Sequence, residues 1–323
     1  MRTVNVETFI NQNYSGISAP SLVLADDGET YVLKKQRTDN GNLDCMFLNE
    51  VFSYKIAKYL GVPTPESVIA NLDKDLTDID RDIIFVHKFF PGMHFASKEI
   101  KNIENNLYEN MSELIQMQKP YIKRTWNEFF KQISNKKDIA KIICFDLLIA
   151  NFDRNNHPEN FLVAEDKNRY ILYAIDQGHS FFGPCWNQSK MESLDGYNRV
   201  SNYLDQYFIK HLQELRGTAN FGVIFKALET NVDLVDLSNH DFIDIVEKIE
   251  NLNESILKNM FKNIPDEWFV NKHVQIDYYV NFIMLHKNNI RHLIQHLAYN
   301  NYFTNYKGGR LEWKNQVLKD ATL

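Results

Sequence analysis

Residues 151–164, "NFDRNNHPENFLVA", contain a polar loop that leads directly into an apolar, strand-like segment. The apolar run before this loop, "IAKIICFDLLIANF" at residues 139–152, is typical of a buried helix. A second strand-like segment, "YILYAID" at residues 170–176, follows after a few polar residues. This order predicts a buried helix, a polar loop and then a two-stranded hairpin.

Strand-like segments dominate the chain up to about residue 90. They are "PSLVLAD" (20–26), "ETYVLKK" (29–35) and "RDIIFVHKFF" (81–90), which are rich in β-branched, aromatic and other apolar residues. The tripeptide "DDG" (26–28) lies between the first two and predicts a hairpin turn. We therefore expect an antiparallel, strand-rich region at the start of the chain.

One helix interrupts these strands. In "LNEVFSYKIAKYLGVPTPE" (48–66) apolar residues recur at helical spacing, and Gly61, followed by two prolines, predicts the C-terminal end of the helix. Two later segments, residues 240–252 and 276–297, place apolar side chains on one helical face, which is typical of helices packed on a core. The sequence therefore predicts a small strand-rich region followed by a larger helical one.

The composition is that of an ordinary globular protein, with 323 residues, 44% hydrophobic and 24% charged. The net charge of −6 does not favour a broad nucleic-acid-binding face. Three scattered cysteines without metal-ligand spacing indicate a reducing, cytoplasmic setting. The N-terminus has no apolar signal core, and residues 139–152 are too short to span a bilayer. We expect a cytoplasmic protein that contacts neither membrane nor nucleic acid.

A lysine and a glutamate are candidates for holding nucleotide phosphates. Lys34 follows the alternating segment "TYVL", so its side chain can point into a cleft; the alternative is a surface lysine at a strand end. Glu50 lies early in the helix, and a helix packed beside the strand would bring it to Lys34. The alternative role for Glu50 is an N-terminal acid stabilised by the helix dipole.

Asn160 and Asp176 are candidate metal ligands, because one residue enters the predicted hairpin and the other leaves it. The two ends of a hairpin can converge on one ion, and Mg²⁺ prefers such oxygen donors. The alternatives are a turn or strand-edge residue for Asn160, and for Asp176 a polar strand end before a turn at Gly178.

Asp153 is the candidate acid that orients an acceptor hydroxyl. In phosphoryl-transfer enzymes of the kinase type, this acid and a metal-binding asparagine lie five positions apart. Here Asp153 lies seven positions before Asn160, and Asn155 occupies the fifth. His157 can orient phosphate or carry a proton; a structural role, hydrogen-bonded to the loop backbone, is the alternative.

The segment "YSGISAPS" (14–21) precedes the first strand-like segment. Its small residues, among them Gly16 and Ser18, can form a backbone nest for phosphate. An ordinary loop rich in Ser and Pro is the alternative. The order of lysine, helical glutamate, aspartate, asparagine, hairpin and aspartate matches the parts that phosphoryl transfer requires.

With these motifs the chain resembles the HipA-like kinases, and more widely the protein-kinase-like fold that includes phosphoinositide kinases. The matching motifs are "YVLKK", "LNEVFSYKIAKYLGVPTPE", "LIANFDR" with "HPENFLV", and "YAIDQGHSF". The resemblance covers most of residues 14–295. It implies an α+β, two-lobed fold, with a β-rich N-lobe at 1–90 and a mainly helical C-lobe at 91–323.

The resemblance also implies ATP and Mg²⁺ as cofactors and Ser/Thr phosphorylation of a protein. Lys34, Glu50, Gly16, Ser18 and His87 become the candidate nucleotide-binding residues. Some relatives phosphorylate their own phosphate loop, and some have an antitoxin-like partner. In this chain Ser15, Ser18 and Ser21 are positional candidates for such a phosphorylation.

The chain departs from the family pattern at one point. The family has Asp-Arg-His contiguous, whereas Asn155 and Asn156 separate Arg154 from His157 here. One hypothesis is a two-residue insertion that leaves Asp153 as the acid; the other places Asn155 in the position of the acid. The sequence therefore predicts a kinase, with a pseudokinase that binds nucleotide or a partner, or a small-molecule or lipid kinase, as alternatives.

Overall fold

The computed structural model describes residues 1–13, 19–38, 41–104, 127–128, 130–154, 157–216 and 222–314. Its N-terminal part is a closed five-stranded barrel in the order β1-β2-β3-β7-β6. These strands are β1 (Thr3–Asn13), β2 (Ser21–Ala25), β3 (Thr30–Leu33), β6 (Ser67–Leu72) and β7 (Gly92–Lys98). All neighbours are antiparallel except β1 and β6, whose parallel pairing closes the barrel.

The predicted hairpin at the "DDG" turn is confirmed, since β2 and β3 pair antiparallel and Gly28 adopts a φ of 77°. The strand β1 was not predicted, although its alternating valines, Val4 and Val6, are buried in the barrel interior. A short strand pair, β4 (Arg37–Thr38) with β5 (Gly41–Asn42), follows β3. The barrel thus has a small apolar core of its own.

The predicted interrupting helix is confirmed as α1 (Met46–Leu60). It ends where expected: Gly61 has a φ of 73°, and its N–H donates to the carbonyl oxygens of Ala57 and Lys58. Phe52 and Ile56, on the apolar face, are fully buried in the larger core. This burial fixes the axis of α1 between the barrel and the helices that follow.

The strand predicted for residues 81–90 is wrong. This segment forms the end of a short helical insertion, α2 (Lys74–Ile79) and α3 (Asp82–Phe85), and then a loop. Only Ile83 and Phe89 are buried, so the segment lacks the alternation that a strand needs. Its β-propensity is overridden by this local packing and by the Asp80 carboxylate, which accepts a hydrogen bond from the N–H of Asp82.

The strand of this region is instead β7, which lies after residue 90 and is hydrogen-bonded to β3 and β6. The division of the chain into lobes at residue 90 stays a prediction. The mixed α and β composition of the fold is confirmed.

The helix, loop and hairpin predicted around residue 153 are confirmed. They are α4 (Asp138–Leu148), a loop that ends in a 3₁₀ turn (Pro158–Asn160), and the antiparallel strands β8 (Phe161–Asp166) and β9 (Arg169–Ala174). The turn between β8 and β9 contains two residues with positive φ, Lys167 and Asn168. The register pairs Phe161 with Ala174, so the residues just outside the strands face each other.

The rest of the described chain is helical and encloses the larger core. Its helices are α5 (Gln188–Leu194), α6 (Gly196–Arg199), α7 (Tyr203–Arg216), α8 (Gly222–Leu228), α9 (Ile243–Glu250), α10 (Glu254–Met260), α11 (Lys272–His286) and α12 (Ile290–Tyr299). The two late helical segments predicted from the sequence correspond to α9 and to α11 with α12. Across the described residues, every helix is too short or too polar to cross a membrane.

The left-handed end of α1 gives a first prediction. Gly61→Ala should lower the free energy of unfolding by about 1 kcal/mol, because alanine is strained at positive φ. An added Cβ would meet nothing closer than the Lys248 Nζ at 3.8 Å. The variant therefore tests the cost of the backbone conformation and not a steric clash. Gly61→Asn should lower the free energy of unfolding by less, since asparagine tolerates this backbone conformation. Chemical denaturation followed by circular dichroism checks both, and an alanine variant as stable as wild type would refute the assignment.

Candidate active site

The ammonium group of Lys34 lies between two carboxylates. Its Nζ is 2.5 Å from Glu50 Oε1 in α1 and 3.0 Å from Asp176 Oδ1 just after β9. Lys34 itself follows β3, and its main-chain N–H donates to the Phe95 carbonyl of β7 at 2.9 Å. The predicted approach of Glu50 to Lys34 is therefore present in the structure, and Asp176 joins the same group.

The two carboxylates differ in exposure and in charge. Burial raises the pKa of Glu50, although the charge of Lys34 acts in the opposite direction. For Asp176 burial also acts to raise the pKa, but the charge of Lys34 and its hydrogen bond outweigh burial and lower the pKa to about 2. The Glu50 side chain is 1% exposed and that of Asp176 is 40% exposed. Asp176 is thus an ionised carboxylate with an open side, as a metal ligand requires.

The charges of these two acids also act on Lys34. Burial acts to lower the pKa of Lys34, but the charges of Asp176 and Glu50 outweigh it and raise the pKa above its ordinary value. Lys34 is therefore a permanent cation at the base of the site.

Asn49, beside Glu50 in α1, connects the helix to the segment that follows Asp176. Its Nδ2 lies 2.7, 2.9 and 3.0 Å from the carbonyl oxygens of Gly178, Ser180 and Gly183. Asn49 is fully buried, so these contacts replace water for all three carbonyl groups. One amide group therefore fixes the position of Asp176 relative to Glu50.

The other end of the Asn49 amide accepts two hydrogen bonds. Its Oδ1 lies 2.5 Å from the Tyr279 hydroxyl and 3.2 Å from Lys190 Nζ. Lys190 also donates to the Gly183 carbonyl at 2.6 Å, and burial lowers its pKa to about 8. Asn49, Tyr279 and Lys190 were not predicted as site residues; the one available signal was a polar pair, Asn49-Glu50, inside an apolar helix.

Arg154 is fully buried and connects the loop with both ends of the hairpin. Its Nε lies 3.0 and 2.8 Å from the two carboxylate oxygens of Asp146 in α4. Its Nη1 donates to the carbonyl oxygens of Asn160 at 2.8 Å and Ile175 at 2.6 Å. Arg154 therefore determines where the residues before and after the hairpin lie.

Asp146, the partner of Arg154, was also missed in the sequence. Burial raises its pKa to about 6, and the charge and hydrogen bonds of Arg154 oppose this rise. The available signal was a single acid within the apolar run "ICFDLL". Such an acid needs a buried partner.

Asp153 lies beside Asn160 in spite of the seven-residue spacing. Its Oδ2 accepts a hydrogen bond from Asn160 Nδ2 at 3.3 Å. The N–H of His157 donates to the carbonyl of Arg154 at 3.3 Å, so the residues on either side of Asn155 and Asn156 are in contact. Asn155 and Asn156 themselves lie outside the described residues, and the two-residue insertion with Asp153 as the acid stays a prediction.

The ring of His157 contacts acids rather than the loop backbone. Its Nε2 lies 3.2 Å from Asp153 Oδ1, and its Nδ1 lies 3.0 Å from Glu159 Oε1. Burial acts to lower the pKa of His157, but the hydrogen bond to Glu159 and the charges of Asp153 and Asp176 outweigh it and raise the pKa. His157 thus lies half-exposed beside Asp153, and its ring keeps a proton to a higher pH than a free imidazole.

Asn160 and Asp176 lie next to the paired ends of the hairpin, as the sequence predicts. The N–H of Ile175 donates to the Asn160 carbonyl at 3.0 Å, and Asp176 has a φ of 57°. Within the described residues, no three His, Cys, Asp or Glu side chains form a metal cluster. One carboxylate and one amide oxygen fit Mg²⁺, which binds few protein ligands and keeps several waters. Their role as metal ligands stays a prediction.

Three further candidates were predicted to contact nucleotide. His87 lies in the loop after α3, where its carbonyl accepts a hydrogen bond from Lys35 Nζ at 2.8 Å and its ring lies 5.5 Å from that of Phe9. Gly16 and Ser18, like Ser15, lie outside the described residues. Ser21 is the first residue of β2 and is buried. The nucleotide-binding roles stay predictions.

The fold is similar to that of a known kinase. The crystal structure of the Helicobacter pylori proinflammatory kinase CtkA matches with a TM-score of 0.53 at 14% identity, over 93% of this chain and 97% of that chain. HipA of Shewanella oneidensis MR-1, in its complex with HipB and operator DNA, matches with a TM-score of 0.41 at 11% identity, over 88% of this chain and 68% of that chain. A comparison with curated proteins gave no match.

The fold is thus of the same type as that of CtkA. The model of the family described as HipA-like kinase matches residues 6–194. The chain belongs to the HipA-like kinase family, which confirms the resemblance drawn from its motifs and supports phosphotransferase activity of the kinase type.

The buried pair Asp146–Arg154 gives a second prediction. Arg154→Met should destabilise the fold by about 3–5 kcal/mol at pH 8, because it leaves the Asp146 charge buried without a partner. The double variant Asp146→Leu with Arg154→Met should recover part of this loss. Urea unfolding of the three proteins measures the coupling. A double variant less stable than Arg154→Met alone would contradict the proposed pairing.

The same pair predicts a pH dependence. The pKa of folded Asp146 lies above its ordinary value, so its contribution to stability is complete below that ordinary value and is lost as the pH rises through about 6. Without Arg154 this pKa rises further. The deficit of Arg154→Met relative to wild type should therefore shrink as the pH is lowered from 8 to 5, and urea unfolding at both pH values measures it. A deficit that is equal at the two pH values would contradict this explanation.

Proposed function

We propose that this protein is an ATP- and Mg²⁺-dependent kinase that phosphorylates Ser or Thr of a protein, and that it can phosphorylate itself. The observation that carries the proposal is the Lys34 ammonium held between Glu50 and Asp176. In the protein-kinase-like fold this pairing marks the arrangement that is ready for phosphoryl transfer. The two-lobed division, with a β-rich lobe at 1–90 and a helical lobe at 91–323, belongs to the same proposal.

Each residue of the site would have a separate role in phosphoryl transfer. Lys34 binds the nucleotide phosphates, and Glu50 keeps its ammonium in place. Asn160 and Asp176 hold Mg²⁺ through their oxygen atoms. When bound, ATP with Mg²⁺ supplies the phosphoryl group and neutralises its charge. Gly16, Ser18 and His87 complete the proposed nucleotide-binding set.

Asp153 would accept a hydrogen bond from the acceptor hydroxyl and orient it. Its carboxylate is 29% exposed, and Asn160 Nδ2 holds one of its two oxygens. Arg154 binds the backbone carbonyl groups of Asn160 and Ile175, which adjoin this loop. An insertion after Arg154 therefore need not displace Asp153. Positioning of this kind supplies most of the catalysis in phosphoryl transfer. His157, beside Asp153, would bind anionic groups of the substrate when its ring is protonated.

A pseudokinase is the second candidate. It is favoured by the contacts of Asp153, since both carboxylate oxygens already have partners, Asn160 and His157. Such a protein would bind nucleotide without transferring phosphate. A small-molecule or lipid acceptor is the alternative within the kinase class. An antitoxin-like partner stays a prediction from the family resemblance, and a cytoplasmic location stays a prediction from the cysteines and the N-terminal sequence.

The choice of the acid gives a fourth prediction. Asp153→Asn should reduce phosphate transfer from ATP by at least about 100-fold, the usual effect of removing a positioned acid or base. Asn155→Ala should retain activity within about threefold. Incorporation of radiolabelled phosphate into the protein and into acceptor peptides measures both. Loss of activity in Asn155→Ala with retention in Asp153→Asn would reverse the assignment.

Nucleotide binding, measured together with phosphate transfer, separates the kinase from the pseudokinase. ATP with Mg²⁺ at 100 times its dissociation constant should stabilise the wild type by about 2.7 kcal/mol. Asp176→Asn should lose the Mg²⁺-dependent part of this gain. Stabilisation of the wild type without transfer to any acceptor would favour the pseudokinase, whereas full transfer activity in Asp176→Asn would refute the metal assignment.

A further inference from the structure

Two aromatic rings and a lysine lie together next to Asp153. Phe152 directly precedes Asp153, and Phe182 lies six residues after Asp176. Their ring centroids are 6.0 Å apart, and the Lys210 ammonium of α7 lies 5.2 Å from the first ring and 5.5 Å from the second. Both rings are partly exposed. We call these three side chains the Lys210 platform.

Strained backbone holds one ring of the platform in place. Phe181 and Phe182 have φ values of 55° and 66°, a conformation that is unfavourable for bulky residues. The N–H of Phe181 donates to the Ile149 carbonyl at 2.7 Å, and the buried Phe181 ring anchors this turn in the core. Strain of this kind persists where the surrounding structure imposes it and is concentrated at functional sites.

Packing on the inner side anchors the other ring. Phe152 contacts Tyr207 and His211 of α7, with ring centroids 5.3 and 5.5 Å apart. The same helix carries Lys210, so α7 sets both the tilt of the Phe152 ring and the position of the cation. The remaining partly exposed surface of Phe152 lies one residue from the proposed acid.

Lys210 is an exposed cation of α7. Among the side chains that the structure describes, which do not include that of Glu214 one turn further along the helix, no carboxylate lies within ion-pair distance of its ammonium. The cation–π contacts with the two rings restrain it over the platform. In a chain with a net charge of −6, such a cation offers a local site for a negative group.

We propose that the Lys210 platform binds the residues that flank the phosphoacceptor, and that it selects an acidic side chain next to an apolar or aromatic one. The acid would pair with Lys210, and the apolar side chain would pack on Phe152 and Phe182. This inference rests on the proposed function for the chemistry at Asp153. It assigns to the site an acidic peptide as the class of substrate.

Peptide binding tests the platform without any phosphate transfer. The probes are three fluorescein-labelled peptides with a central Ser-Phe pair flanked by Glu, Gln or Lys, and fluorescence anisotropy gives the affinity for the full chain. The Glu peptide should bind about threefold to fivefold more tightly than the Gln peptide, the size expected for one partly exposed ion pair. The Lys peptide should bind most weakly.

Lys210→Glu should reverse this order, and Lys210→Met should remove the difference between the Glu and Gln peptides. Lys226→Glu is the matched control, because it changes the charge equally at an exposed position of α8 and should keep the wild-type order. The proposal is overturned if Lys210→Glu keeps the wild-type preference, or if no peptide binds the wild type better than the others.

A transfer assay with the same peptides separates the two proposals. If the Glu peptide binds through Lys210 but no peptide or protein accepts phosphate, the proposed kinase activity fails and the platform stands. If phosphate is transferred without preference among the three peptides and binding also shows no preference, the platform fails and the kinase stands.

Discussion

A buried cation is the constraint on which the site depends. The Lys34 ammonium cannot remain charged in the interior unless acids surround it, and Glu50 and Asp176 meet this requirement from two distant parts of the chain. The barrel strand, helix α1 and the end of the hairpin must therefore meet at one point. Asn49 secures the same junction through uncharged groups, so the position of Asp176 does not depend on charge alone. The same contacts therefore join the barrel, helix α1 and the hairpin, and bring the residues of the candidate site together.

Local signals in the sequence predict much of this architecture. Helix α1 and its end at Gly61, the hairpin and the two late helices follow from periodicity and turn residues, which need no knowledge of the rest of the chain. Asp153, Asn160 and Asp176 could be chosen because their order along the chain matches the order of the elements. The same reasoning could have predicted the strand β1 from its alternating valines, Val4 and Val6.

What the sequence does not predict depends on contacts between distant residues. The prediction of a strand at residues 81–90 was wrong, because only two side chains of this segment are buried in a core. The Asn49 network joins α1 to residues more than one hundred positions later, and the partner of Asp146 follows from the path of the loop. The polar residues concerned are conspicuous only once they are known to be buried. A search for polar residues within apolar helices would have found the pair Asn49-Glu50 and the single acid Asp146.

The contacts of Arg154 make the positions of the hairpin ends independent of the length of the loop before the hairpin. Its guanidinium binds the carbonyl groups of Asn160 and Ile175, and the N–H of His157 donates to the carbonyl of Arg154. Lengthening a flexible chain between two points that are fixed in this way costs little, about 0.6 kcal/mol for each doubling of its length. The number of residues between Arg154 and His157 can therefore change in evolution, as loop lengths do on a constant scaffold, while the ends of the hairpin keep their positions.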